Sequence, residues 1–97
     1  MNKSLATLSR HNDVSIITLD DGKANVFSYD MLFSLNECLK DVPKDSGSLI
    51  LAGRDGIFSG GFDLKTLGSG DVDAIIKMVR LGYKTLLDLY AFPRPVV

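Results

Sequence analysis

Two adjacent glycines, Gly60 and Gly61, stand between an apolar run and a probable helix, and that placement constrains the fold more than any other feature of the chain. The run Ser48-Leu49-Ile50-Leu51-Ala52 reads as a buried strand. Phe58-Ser59-Gly60-Gly61-Phe62-Asp63-Leu64 follows it, so the glycines fall where a strand gives way to a helix. Lacking a Cβ, both can reach positive φ and let another group approach the main chain closely. The residue after them would offer one of the first N–H groups of the next helix, which lack intrahelical partners and lie at the positive end of its dipole. An anion, or a carbonyl oxygen becoming one, suits such a group. Taken alone, the pair reads first as a tight turn, since glycine commonly punctuates loops.

Nucleotide-binding loops do not account for the motif. A Walker loop needs Gly-Lys followed by Ser or Thr, which neither Gly22-Lys23-Ala24 nor Gly82-Tyr83-Lys84 supplies. The dinucleotide fingerprint needs three glycines at fixed spacing, and Gly60-Gly61-Phe62 breaks it. A backbone donor site of another type remains.

The rest of the chain sets the motif in an α/β pattern. Leu5 to Ser9 and Val14 to Leu19 read as an antiparallel hairpin around Arg10-His11-Asn12-Asp13, and Asp20-Asp21-Gly22 as a turn. Ser28 suits an N-cap with Asp30 in the first turn, and Met31, Leu32, Leu35, Leu39 and Val42 recur at helical spacing up to Pro43. From Asp71 onward Val72, Ile75, Ile76, Val79, Tyr83, Leu86, Leu87 and Tyr90 form the strongest helical pattern, with both tyrosines expected in the core. Phe92-Pro93-Arg94-Pro95 ends it. The order strand, strand, helix, strand, glycine turn, helix is α/β.

A chain of 97 residues forms at most one domain. At that size it buries roughly 63 to 66 percent of its unfolded surface, too little for a large cleft between domains. Its 45% hydrophobic and 24% charged residues argue against disorder. Eleven basic and twelve acidic residues without a basic block argue against nucleic acid as a partner. Polar residues from Ser9 to Asp13 leave no signal-peptide core, and no run reaches the ~18 apolar residues of a membrane span. One cysteine, Cys38, makes no internal disulfide, so a cytoplasmic protein is expected. Pro95-Val96-Val97 falls where a further strand would begin, which suggests a partial chain.

Phe58-Ser59-Gly60-Gly61-Phe62-Asp63-Leu64-Lys65 resembles the oxyanion-hole motif of the crotonase (enoyl-CoA hydratase/isomerase) superfamily. Lys23-Ala24-Asn25-Val26-Phe27-Ser28 looks like that family's Lys-x-Asn-Ala-Leu segment, and Phe92-Pro93-Arg94-Pro95-Val96-Val97 like the segment introducing its next core strand. The amino-terminal hairpin agrees as well. The resemblance implies that residues 1–97 are the amino-terminal part of a crotonase-like spiral of β-β-α units. It further implies acyl-CoA thioester substrates, an enolate stabilised by two backbone N–H groups, and trimers or dimers of trimers. Phe62 would donate the first N–H, with its ring lining the acyl pocket. Lys23 and Ala24 would contact coenzyme A and the Gly60 carbonyl the adenine ring; Val26, Gly61, Asp63 and Leu64 complete the implied contact set. No metal or separate cofactor is implied, since the substrate carries coenzyme A.

Lys23 or Lys65 would suit the coenzyme A phosphates, although surface lysines are more often simply solvated. Asp63 reads as a helix acid in the first turn rather than a general base. Val26-Phe27 in place of Ala-Leu enlarges one wall near the pocket, and Gly60 stands where many members have alanine. The resemblance puts the second amide donor and the hydratase glutamates at positions this chain does not contain. Glu37 reads as solvated, His11 as a polar hairpin residue and Cys38 as a core or boundary residue. Hydration of a 2-enoyl-CoA is the leading expectation; the alternatives are double-bond isomerisation, a non-catalytic coenzyme A-binding or structural remnant, or a generic anion-binding α/β module.

Overall fold

The computed structural model describes residues 4–97. Strands β1 (Ala6–His11) and β2 (Val14–Leu19) form an antiparallel hairpin. Strand β4 (Ser48–Ala52) lies parallel to β2, giving the order β1-β2-β4. Between β2 and β4 the chain passes through a two-residue strand β3 (Val26–Phe27) and helix α1 (Tyr29–Lys40). After β4 come β5 (Gly61–Phe62), which pairs parallel with β3, then the short helix α2 (Leu64–Leu67) and the long helix α3 (Val72–Tyr90).

Alternation along β2 decides which side of the sheet is covered. Ser15, Ile17 and Leu19 are buried and their neighbours are less so, the period of two expected when one face carries a core. Onto that face α1 brings Met31, Leu35 and Leu39, which with Ala6, Val42 and Leu49 make up the core. Ser28 caps α1 by accepting the Met31 N–H, as its sequence position suggests. From the middle of the helix, Ser34 Oγ accepts the Ala6 N–H at 2.9 Å and donates to the Ala6 carbonyl, pinning α1 to β1.

Three boundaries differ from the sequence expectation. The hairpin connection is Asn12-Asp13 rather than four residues, because Asn12 takes the left-handed conformation (φ 56°) that a tight reversal requires, letting β1 extend to His11. Helix α1 ends at Lys40, with the Val42 N–H tightening back to Leu39, because Pro43 disfavours a helical residue before it. The residue after Gly61 does not open a helix, because β3 captures Gly61 and Phe62 as a strand before the helix begins. At the far end, Pro95 and Val97 carbonyls accept the Leu49 and Leu51 N–H groups at 2.9 and 2.8 Å, so the chain runs beside β4 where a strand was expected.

The expectation that the α3 apolar positions are core is corrected. Only Met78 and Thr85 are buried, while Tyr83 is 64% and Tyr90 90% exposed. At 3.6 residues per turn, Met78, Gly82, Thr85 and Leu89 form a stripe about 120° round the helix from the one formed by Val72, Ile76, Tyr83, Leu86, Leu87 and Tyr90. The first stripe packs on α1, where Asn36 Nδ2 donates to Thr85 Oγ1. The second, more regular in sequence, has no cover among the described residues.

Replacing a core residue should therefore cost much more than replacing one on the outer stripe. Leu35→Ala is expected to lose about 2–5 kcal/mol, and Tyr90→Ser less than about 0.5 kcal/mol. Urea denaturation of the two variants checks this, and comparable losses would contradict the burial described.

Candidate functional site

Two segments far apart in sequence, residues 20–27 and 54–63, meet at the end of β2. Gly60 donates its N–H to the Ala24 carbonyl at 2.8 Å, Val26 lies opposite Gly61, and Phe27 opposite Phe62. The structure thus brings Ala24, Val26, Gly60, Gly61 and Phe62 into one small patch. Lys23 is exposed at its margin, and its carbonyl accepts from Arg54 Nη1.

Asn25 holds this patch together. It is fully buried and left-handed (φ 52°), a conformation that Asn tolerates better than most residues. Its Nδ2 donates to the Leu19 carbonyl at 2.7 Å and to the Phe58 carbonyl at 3.2 Å, while Oδ1 accepts the Asp21 N–H at 2.9 Å. One side chain therefore ties the end of β2, the turn and the glycine segment together. Asp21 completes the turn, its carboxylate accepting N–H groups from Lys23, Asn25 and Val26. Burial alone would raise the Asp21 pKa, but those three bonds, with the Arg54 charge, outweigh it and hold the carboxyl below its ordinary value.

The glycine segment presents one amide outward. Gly61 has φ +86° with open space where a Cβ would stand, so its requirement for glycine is conformational rather than steric. The Asp63 N–H reaches back to the Phe27 carbonyl at 3.3 Å. Successive residues of a strand turn their N–H groups to opposite sides, so the Phe62 N–H faces away from β3. No turn, loop or side-chain acceptor among the described residues takes it.

Helix α2 starts at Leu64, two residues later than the motif suggests. Asp63 is its N-cap rather than a first-turn acid, with Oδ1 accepting the Lys65 N–H and Oδ2 the Thr66 hydroxyl at 2.8 Å. Leu64 is 78% exposed, and Lys65 is exposed on α2. The Phe62 ring lies over Gly82 of α3: a Cβ at Gly82 would stand 2.7 Å from its Cε1 and Cζ. A glycine inside a strong helical pattern is the sequence signal that could have disclosed this contact. Arg54, which also pairs with Asp20 at 3.3 Å, carried no comparable signal.

Asp21 and Asp63 are committed to turn and cap contacts, and the sequence's other acid–base candidates, Glu37, Cys38 and His11, lie outside the two segments. Glu37, the sole glutamate of the sequence, is exposed on α1 and paired with Lys40. Burial, reinforced by Asp41 and Glu37, pushes the Cys38 thiol up, away from nucleophilic use. His11 is exposed at the end of β1.

The family profile described as enoyl-CoA hydratase/isomerase matches residues 9–97. The chain belongs to that family. A probable enoyl-CoA hydratase of Bacillus subtilis (strain 168) is 31% identical over 88 residues, covering 87% of this chain and 34% of the relative. The structure of a probable enoyl-CoA hydratase of Mycobacterium tuberculosis H37Rv superposes with a TM-score of 0.90 at 36% identity, covering 95% of this chain and 39% of that one. A second structure of the same mycobacterial protein, named there an enoyl-CoA isomerase, gives a TM-score of 0.87 at 34% identity, covering 96% of this chain and 40% of that one. The fold is therefore crotonase-like, and the chain spans roughly two-fifths or less of these relatives' length. Among the described residues no helix is long and apolar enough to cross a membrane.

The Asp21 turn gives the patch an acid sensitivity. Because the folded-state pKa of Asp21 is depressed, its stabilisation is complete above the ordinary aspartate value and lost as pH falls through the lower, folded one. Asp21→Asn is expected to be less stable than the parent at pH 7, by about 1 kcal/mol from weakened hydrogen bonding, and to have a shallower decline below pH 4. Urea midpoints from pH 7 to 2 check this; parallel profiles would contradict it.

Proposed function

We propose that the patch at Ala24, Val26 and Gly60 to Phe62 is the acyl-CoA site of an enoyl-CoA hydratase, with the Phe62 N–H as one donor of its oxyanion hole. The observation that carries this reading is the outward, acceptor-free Phe62 amide following the left-handed Gly61. A thioester oxygen gains negative charge when a 2-enoyl-CoA is attacked at C3 and its electrons move into the enolate. A fixed amide aimed at that oxygen stabilises the charge without reorganising. A second donor and a general base would complete the reaction. Asp63 is engaged in capping α2, which speaks against its carboxylate as that base.

Coenzyme A would approach along Lys23, Ala24 and the exposed Gly60, with Asp63 and Leu64 at the acyl side of the contact set. Homotrimers or dimers of trimers belong to the same reading, as does a cytoplasmic setting. Isomerisation is the second reading, because the mycobacterial relative carries both names. Both reactions pass through a thioester enolate and make the same use of the Phe62 amide. They are separated by product analysis, since hydration incorporates solvent oxygen and isomerisation does not.

Binding of an acyl-CoA labelled with ¹³C at the thioester carbonyl tests the amide. The carbonyl resonance is expected to move downfield on binding to the parent chain and to Phe62→Leu, and to stay at its free position with Phe62→Pro, which deletes the N–H. In an enzyme that turns over, the same deletion is expected to cost ~10²–10³ in rate. Equal effects of the two substitutions would refute a backbone role.

A further inference from the structure

The Phe62 amide is only as well aimed as the segment that carries it, and that segment has few anchors. Gly60 and Gly61 have no side chains, Phe58 is 51% exposed, and β5 is two residues long. Its main-chain ties are the Gly60 bond to Ala24, the β3 pairing and the Asp63 bond to Phe27, all made to residues 24–27. Among those residues is one whose side chain is fully buried with every polar atom engaged: Asn25.

We propose that Asn25 is a positioning residue that fixes the direction of the Phe62 N–H; as a statement about the reaction, this rests on the oxyanion reading given above. The two Nδ2 protons have different partners. One goes to Leu19, at the end of the central strand, and the other to Phe58, at the entry to the glycine segment. The amide group is thus a rigid bridge from the sheet to the chain that delivers Phe62. Its backbone acts in the same sense: the left-handed turn at Asn25 sends Val26 and Phe27 into the β3 pairing beside Gly61 and Phe62. Removal of the side chain leaves two carbonyls without their donor and releases Phe58. It leaves α1 and its contacts with the hairpin in place.

Asn25→Gly is the informative variant, because glycine accepts φ 52° while removing only the side chain. Residual dipolar couplings of the 97-residue chain report the direction of each N–H. The Phe62 coupling is expected to change by more than twice the scatter of the β2 and β4 amides, which keep their values. An unchanged Phe62 coupling overturns the proposal, and so does a change spread uniformly over the sheet, which marks a general structural role.

Exchange of the Asn25 side-chain protons in the unmodified chain decides the matter even where the variant does not fold. The proton facing Phe58 is expected to exchange at least tenfold more slowly than those of the exposed Asn12, and equal rates overturn the proposal. The labelled thioester separates the two claims. A carbonyl unmoved by the parent chain defeats the oxyanion reading while the couplings still judge Asn25. A carbonyl that moves with the parent and returns towards its free position with Asn25→Gly supports both.

Discussion

A single buried carboxamide decides how this chain closes on itself. Asn25 sits in a backbone conformation that most residues avoid, yet every polar atom of its side chain is satisfied. Leaving such a group unpaired in the interior costs about 1–3 kcal/mol per donor or acceptor, so the arrangement is strongly all-or-none. The end of β2, the Asp21 turn and the glycine segment must all be in place for it to be satisfied. The apolar core lies elsewhere, between α1 and the sheet, and contains no residue of the glycine segment. Hydrophobic burial makes the scaffold; the polar hub specifies where the candidate site stands on it.

Much of the scaffold was legible because its signals are local. Ser28 as a cap, the apolar run from Val14 to Leu19, and Pro43 as a stop each act within a few residues. The boundaries that shifted did so where pairing across a long sequence distance overrode local preference. Phe62 is the clearest case, being drawn into a strand by Phe27 although its own neighbours favour a helix start. Helix α3 misled in another way. Its most regular apolar stripe is the exposed one, and periodicity alone does not say which of two stripes meets a partner.

The motif itself was legible, and its wiring was not. Gly60, Gly61 and Phe62 stand out by composition, and Lys23-Ala24-Asn25 by resemblance, but nothing in the sequence says that Asn25 rather than Lys23 is the structural hinge of the pair. Nor does it say that the Phe62 ring rests on Gly82. The ring contact joins α3 to the same short strand that Asn25 controls. An exposed amide is thereby held from two sides by groups about 57 residues apart in the chain, a long-range coupling that single-residue preferences do not encode.

Residues Pro95 to Val97 have a role of a different kind. By accepting the Leu49 and Leu51 N–H groups, Pro95 and Val97 occupy the flank of β4 opposite β2. Without them β4 would show an open, apolar edge, the feature through which sheets recruit strands from other molecules. Pro95, with no N–H of its own, gives that flank a poor start for further pairing. These few residues cover an edge that the hairpin and α1 leave open.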